Sequence, residues 1–330
     1  MGPRARAALV AVLVAAAGTA GWWLGRTGNT PAAPTAPAAS ASHDAVTTHA
    51  SPALALPNTT VHQVPDSVTG RRYEVWVDVP PSYAEGTRDY PVVVVTDAEY
   101  AFPVVRSLRR RVGGNGRNIE DFVLVGLSYA VGEASMPSKR RDYTPTDPFA
   151  RGTPRSGDYA RGQAYGHAEA YRDYIARDVF PLIARTYRVD MRRKVYIGHS
   201  LGGLFGGYVL LTRPDMFSHY VLGSPSLWFD ERTLFTTEAR YAASHRDLRA
   251  NVRLSIGGFE TMGTTPRHYR TVDMVGDMRD FERVLRARRY PGLRIESEVL
   301  PGLDHLTVFP DTATNGLLWA LPGTGPYRGY

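Results

Sequence analysis

The segment Lys194-Val195-Tyr196-Ile197, followed by Gly198-His199-Ser200-Leu201-Gly202, decides the predicted fold. The first part is a short β-branched and aromatic run, which is typical of a buried strand. After the motif, Gly203–Leu211 is long enough for a helix and ends before Arg213 and Pro214. A G-x-S-x-G motif between a strand and a helix predicts a nucleophile elbow, in which a strained turn exposes the serine hydroxyl at the carboxyl edge of a sheet.

Apolar runs with the character of strands alternate with segments of helical periodicity along the rest of the chain. The predicted strands are 60–64, 72–79, 91–96, 122–127, 194–197, 219–222, 252–256 and 295–300. Two sets of apolar residues each share one helical face, namely Tyr171, Tyr174, Ile175, Val179 and Ile183, and Met274, Met278, Phe281 and Leu285. This alternation predicts an α/β protein with a mostly parallel sheet and helices on both faces. About eight strands, with the serine after the fifth, predict the α/β-hydrolase fold.

A serine nucleophile requires a general base, and in this fold the base is a histidine near the end of the chain. His305 directly follows the last predicted strand, and we therefore predict that it is the base. A loop histidine without catalytic function is the alternative. His219 begins a predicted strand and His245 lies in an arginine-rich segment, so both are interpreted as structural. His199, beside the serine, is expected to pack at the elbow.

The acid that orients the base is expected to follow the strand 252–256. Glu260 comes directly after that strand and is the predicted acid. Asp273, Asp277 and Asp280 lie on or near the next helix, where a solvated helix face is the stronger interpretation. Asp304, adjacent to His305, stays a further candidate for the same task.

The oxyanion hole is predicted to use two backbone amides. One is that of Leu201, directly after the serine. The other is expected in the turn Asp97-Ala98-Glu99-Tyr100, which follows the strand 91–96. The chain has no HGGG-type segment, so the loops typical of lipases are not indicated.

Five segments resemble one branch of the α/β-hydrolases, which contains esterase D-like enzymes, enterochelin (siderophore) esterases, feruloyl-type carbohydrate esterases and mycolyltransferases. They are Arg141-Asp142-Tyr143-Thr144-Pro145, Tyr187-Arg188-Val189-Asp190, Gly198-His199-Ser200-Leu201-Gly202-Gly203, Ser224-Pro225-Ser226-Leu227-Trp228 and His305-Leu306-Thr307-Val308-Phe309-Pro310. The resemblance covers roughly residues 60–320, and the first and fourth segments are most similar to the siderophore esterases.

The resemblance implies specific roles for residues in these segments. Ser200 would be the nucleophile, His305 the base and Glu260 the acid, although some siderophore esterases work with a Ser–His pair alone. The amide of Glu99 would be the second oxyanion donor, in a turn where the family has Asp-Gly and this chain has Asp97-Ala98. The candidate substrate-binding residues within or beside these segments are Arg141, Tyr143 and Trp228.

Composition excludes several classes of protein. The 330 residues contain no cysteine, which excludes disulfides, thiolate catalysis and cysteine metal sites. The net charge of +7 comes partly from arginines near the N-terminus, and no basic stripe interleaved with aromatic residues indicates nucleic-acid binding. Nearly all the basic residues are arginine, a side chain suited to carboxylate or catecholate oxygens. No motif calls for a metal or cofactor.

The N-terminus predicts export. Arg4 and Arg6 precede an apolar run from Ala7 to Leu24, so residues 1–26 are either a signal peptide or an uncleaved signal anchor that would hold the N-terminus at the membrane. Residues 27–57 are rich in Pro and Ala and are predicted to be a mobile tether. Residues 58–330 would form the catalytic domain, located outside the cytoplasm.

A long polar segment, roughly residues 132–165, precedes the Tyr171 helix. It is expected either to cover the substrate or to be a solvated insertion. Together these features predict an exported serine esterase that acts on a small-molecule ester, with siderophore-type (catecholate or hydroxy-acid) esters as the leading substrates. Carbohydrate esters or acyl transfer are the alternatives within the fold, and a catalytically inactive surface-binding module is the alternative outside enzymes. The oligomeric state is not predicted.

Overall fold

The computed structural model describes residues 55–150, 152, 154, 159–269 and 271–325. Within these residues eight strands form one sheet in the order β1-β2-β4-β3-β5-β6-β7-β8. The strands are β1 (Thr59–Pro65), β2 (Arg72–Asp78), β3 (Tyr90–Val95), β4 (Val123–Ala130), β5 (Val189–His199), β6 (His219–Gly223), β7 (Ala250–Gly257) and β8 (Leu293–Leu300). β2 runs antiparallel to β1 and β4, and the remaining pairs are parallel. This is the predicted α/β-hydrolase fold.

The central strands are apolar throughout because both faces of the sheet are covered. Every residue of β3 and β4 is buried. Val92 and Val94 pack into one apolar cluster, and Val93 and Val95 pack into a second cluster on the opposite face. The strand that leads to the serine is longer than predicted, since β5 begins at Val189. Its first half is polar and partly exposed, so only its buried end had the expected apolar pattern.

Helices lie on both faces of the sheet. They are α1 (Ala98–Arg111), α2 (Ser135–Tyr143), α3 (Ala168–Tyr174), α4 (Phe180–Thr186), α5 (Leu201–Thr212), α6 (Phe229–Ser244), α7 (Met274–Ala287) and α8 (Phe309–Ala320). A π-helical turn, Ile175–Val179, joins α3 to α4. All the residues of both predicted apolar helix faces are buried, which confirms those two helices.

The polar segment 132–165 is not a loop throughout. It contains α2, whose last residues Arg141, Asp142 and Tyr143 are buried. The sequence did not predict this helix because it lacks an apolar period: its last turn is buried largely through ion pairs of Arg141.

The predicted export segment and most of the tether lie outside the described residues. Among the helices that the structure describes, none is both long enough and apolar enough to span a membrane. The first described strand, β1, begins at Thr59, close to the predicted start of the catalytic domain.

Candidate active site

The predicted elbow is present at the carboxyl end of β5. β5 ends at His199 and α5 begins at Leu201, which leaves Ser200 in the turn with φ 59° and ψ −119°. A positive φ is rare for a residue with a side chain and marks backbone strain that the surrounding packing must sustain. The flanking glycine is required by close approach: a Cβ atom on Gly202 would lie 2.4 Å from the hydroxyl oxygen of Thr96 at the end of β3.

The imidazole of His305 connects the serine to a carboxylate. Its Nε2 lies 2.9 Å from Oγ of Ser200, and its Nδ1 lies 2.6 Å from Oε2 of Glu260. His305 follows β8, Glu260 follows β7 and Ser200 follows β5, so three parallel strands deliver them to one edge of the sheet. This arrangement is a Ser-His-Glu chain of hydrogen bonds with Glu260 at its buried end.

Glu260 is held from three directions. Its side chain is buried, and its Oε1 accepts hydrogen bonds from the hydroxyl of Ser224 at 2.6 Å and from the amide of Gly257 at 2.8 Å. Its Oε2 faces Nδ1 of His305. Both oxygens are therefore fixed, and the imidazole ring is fixed with them.

The other acidic candidates are engaged elsewhere. Hydrogen bonds from Arg267 and Thr307 lower the pKa of Asp304 to about 2, and within the described residues no hydrogen bond joins its carboxylate to His305. Asp273 accepts from the amide of Gly276 at the start of α7. Asp277 and Asp280 both form ion pairs with Arg232, and Asp280 forms a second one with Arg283. They act in the structure as cap and helix-face residues.

His199 packs against the ring of His305. It is buried, and its ring centroid lies 4.6 Å from that of His305 and 5.9 Å from that of Phe309. Burial first, and then the neighbouring charge of His305, lower the pKa of His199 well below its usual value. The side chain is consequently a neutral ring that supports His305 and takes no part in the hydrogen-bond chain.

The two predicted oxyanion amides lie at the starts of helices. Leu201 is the first residue of α5, and Glu99 is the second residue of α1. Amides of a first helical turn have no acceptor within the helix and remain available to a ligand. Asp97 adopts the left-handed conformation, with φ 57° and ψ 49°, so Ala98 needs no positive φ and can replace the glycine of the family pattern.

A small cavity of about 130 Å³ adjoins the serine. It is lined by Met136, Lys139, Arg140, Tyr159, Tyr165, Ser200, Leu201, Ser226, Trp228 and Phe229. The segment 132–165 contributes five of these residues. Part of it therefore lies over the site, which agrees with the interpretation of this segment as a cover for the substrate. The cavity combines aromatic rings with two cationic side chains.

A family model described as "Putative esterase" matches residues 67–301. This chain belongs to that esterase family. It is a carboxylic ester hydrolase.

Two relatives share sequence with this esterase over much of its length. A ferri-bacillibactin esterase, BesA, from Bacillus subtilis is 29% identical over 283 residues, which covers 84% of this chain and 94% of the relative. A siderophore enterobactin esterase from Emericella nidulans is 28% identical, covering 57% of this chain and 65% of that protein. The crystal structure of a BES protein from Bacillus cereus has a TM-score of 0.67 at 21% identity, covering 83% of this chain and 99% of that one, and confirms the fold.

Two of the predicted substrate-binding residues do not line the cavity of this esterase. Arg141 is buried in ion pairs with Asp142 and Glu133. The hydroxyl of Tyr143 accepts a hydrogen bond of 3.4 Å from the amide of Asp97, and its ring packs in the core. The third residue, Trp228, does line the cavity.

The helical period explains why Arg141 does not line the cavity. Met136, Lys139 and Arg140 occupy positions i, i+3 and i+4 of α2 and therefore share the face that meets the cavity. Arg141, at i+5, lies off that face. Tyr143, at i+7, shares the face but lies one turn farther along the helix, where its ring packs in the core. Because α2 was not predicted as a helix, neither the face nor the depth of these residues could be distinguished from the sequence.

Two serines of the segment Ser224–Trp228 were not assigned roles from the sequence. Ser224, with φ 40°, donates to Glu260, and Oγ of Ser226 lies 3.4 Å from Oγ of Ser200. Both are buried. The resemblance to the family marked the segment, but serines beside a proline are common in turns, and nothing in the sequence distinguished these from turn residues.

Replacing Ser224 with alanine is expected to lower kcat by about tenfold with little change in KM, because a hydrogen bond to a charged group contributes roughly 1.5–3 kcal/mol and this one holds Glu260 in place. Steady-state kinetics on a 4-nitrophenyl ester would measure both constants. Ser244→Ala, a change of the same type at the exposed end of α6, is the matched control. An unchanged kcat for Ser224→Ala would show that Glu260 does not need this donor.

Proposed function

We propose that this esterase cleaves its substrate with a Ser200-His305-Glu260 triad. The observation that carries the proposal is the continuous hydrogen-bond chain, 2.9 Å from Ser200 to His305 and 2.6 Å from His305 to Glu260. Oγ of Ser200 attacks the ester carbonyl carbon while Nε2 of His305 takes the hydroxyl proton. The imidazolium returns that proton to the departing alcohol, and the acyl group stays on the serine.

A water molecule completes the cycle. His305 removes a proton from the water as it attacks the acyl carbonyl, and then protonates Oγ as the acid leaves. Glu260 holds the ring orientation and stabilises the imidazolium in both halves of the reaction. The amides of Leu201 and Glu99 bind the oxyanion, assisted by the positive end of α5.

The proposed substrates are siderophore-type esters, whose acyl groups carry catecholate or hydroxy-acid oxygens. The aromatic side chains Tyr159, Tyr165 and Trp228 suit a flat ring, and Lys139 and Arg140 suit acidic oxygens. The relatives from Bacillus subtilis and Emericella nidulans are both described as esterases of siderophores. The cavity lining and the relatives both support siderophore-type esters over carbohydrate esters as substrates.

A comparison of hydrolysis rates on two classes of ester tests the assignment of siderophore-type substrates. At equal concentration, the purified enzyme is expected to hydrolyse tri-catecholate trilactones faster than feruloyl sugars, with initial rates followed by chromatography of the released acids. Ser200→Ala protein supplies the blank for spontaneous hydrolysis. Faster cleavage of the feruloyl sugars would move the assignment to carbohydrate esters, and transfer of the acyl group to an added alcohol in preference to water would make the protein an acyltransferase.

Export completes the proposal. Arg4 and Arg6 before the apolar run 7–24, with a Pro/Ala-rich tether behind it, support a catalytic domain located outside the cytoplasmic membrane. Alkaline phosphatase fused after residue 57 is expected to be active, and the same fusion without residues 1–26 is expected to be inactive. An inactive full-length fusion found in the cytosol would contradict export.

A further inference from the structure

Lys139 occupies an unusual position on the wall of the catalytic cavity. It lines the cavity together with Ser200, yet its Nζ lies 2.9 Å from Oδ1 of Asp97 and only 12% of its side chain is exposed. The chain has one other lysine, Lys194, against a large excess of arginine. Lysine carries a compact point charge with three donor hydrogens, whereas arginine presents a planar fork.

Asp97 fixes this ammonium group in place. The carboxylate is fully buried, and its Oδ1 also accepts a hydrogen bond of 2.7 Å from the hydroxyl of Tyr129. Its Oδ2 lies against the elbow, since a Cβ atom on Gly202 would be 3.2 Å from it. Asp97 thus lies behind the ammonium, inside the protein, and cannot itself meet a ligand in the cavity.

The remaining lining gives the cavity a positive character. Arg140 is the second cation, and among the described residues that line the cavity there is no carboxylate. One donor of Lys139 is used by Asp97, which leaves donors for an oxygen of a ligand bound beside Ser200. Aromatic rings from Tyr159, Tyr165 and Trp228 surround the same space. An acyl group that is flat and carries a negative oxygen fits this combination.

We propose that Lys139 is a specificity-determining residue that selects acyl groups with an anionic oxygen close to the ester carbonyl, and that Asp97 is its positioning partner. The inference rests on the proposed function, because it names what the acyl site of that same reaction recognises. A charge-assisted hydrogen bond in a partly desolvated cavity is expected to favour the anionic acyl group by about 10- to 100-fold in kcat/KM.

Two 4-nitrophenyl esters of equal shape isolate this effect. One carries a 3-carboxybenzoyl group and the other a 3-carbamoylbenzoyl group, so they differ in charge and hardly in size. The readout is the ratio of their kcat/KM values, which cancels any general loss of activity. The wild-type enzyme is expected to prefer the carboxylate, and Lys139→Met is expected to reduce the ratio by about 10- to 100-fold. Lys194→Met, which removes the same charge elsewhere, is expected to keep the wild-type ratio.

A second variant controls for misfolding of Lys139→Met. Lys139→Met leaves the carboxylate of Asp97 buried without its cation, so Lys139→Met combined with Asp97→Asn removes both charges and is expected to show the same reduced ratio. A wild-type ratio at or below one, or a ratio that the Lys139 variants leave unchanged, overturns this inference alone. A wild-type enzyme that hydrolyses neither ester overturns the proposed function as well.

Discussion

Replacing Ser200 with alanine is expected to lower kcat for ester hydrolysis by about 10⁴-fold or more, because the change removes the atom that we propose attacks the carbonyl. The oxyanion amides and the binding cavity remain, so a small rate above background is expected to persist. The substitution removes one partly exposed oxygen from the turn, and the fold is expected to stay intact. Burst and steady-state kinetics with a 4-nitrophenyl ester would measure the fall in kcat, and circular dichroism would show whether the fold is retained.

Ser226 is the neighbouring hydroxyl that this experiment must separate from Ser200. The two Oγ atoms are 3.4 Å apart, but only Ser200 is hydrogen-bonded to His305. If Ser226→Ala abolished hydrolysis while Ser200→Ala retained it, the assignment of the nucleophile would be wrong.

Replacing Glu260 with glutamine is expected to reduce kcat by roughly 10² to 10⁴, with little change in KM. Glutamine keeps the size of the side chain but removes the charge that, in the proposed mechanism, stabilises the imidazolium and selects the tautomer of the neutral imidazole. The loss is expected to be large because Glu260 is buried and 2.6 Å from Nδ1 of His305. Stopped-flow or steady-state kinetics on an activated ester would give kcat and KM separately.

Asp304→Asn is the matched control for Glu260→Gln. Asp304 is adjacent to His305 in sequence, but its carboxylate binds Arg267 and Thr307, so its change to asparagine is expected to leave kcat within about threefold of the wild type. Near-full activity of Glu260→Gln would mean that Ser200 and His305 act as a pair. Activity that survives Glu260→Gln but is lost when Asp304→Asn is added would instead identify Asp304 as a substitute.

The elbow and the strands could be predicted because their signals are local. A buried apolar run, a glycine-flanked serine and a helix of small and apolar residues occur within 18 positions, 194–211. The residues that meet at the site follow β5, β7 and β8, and parallel strands end at one edge of the sheet, so the order along the chain was enough to bring Ser200, Glu260 and His305 together.

The cavity wall could not be predicted in the same way. The helix α2 has a polar sequence whose buried charges are satisfied by Asp142 and Glu133, and the hydrophobic period that reveals most helices is missing. Without that helix, Arg141 could not be separated from Lys139 on the cavity face, and Tyr143 could not be assigned to the core beyond it. The role of Ser224 depends on a contact with Glu260 across 36 positions of the chain, which a single sequence does not show.

Labelling with a fluorophosphonate, followed by fragment-ion mass spectrometry, tests the central claim most directly. The tryptic peptide 195–232 contains both Ser200 and Ser226, because Pro214 protects the bond after Arg213 from cleavage, so the fragment ions must assign the adduct. The account predicts one adduct per chain, on Ser200, with loss of ester hydrolysis in proportion to labelling and no labelling of Ser200→Ala. An adduct on Ser226 or another residue, or hydrolysis that continues in fully labelled protein, would contradict it.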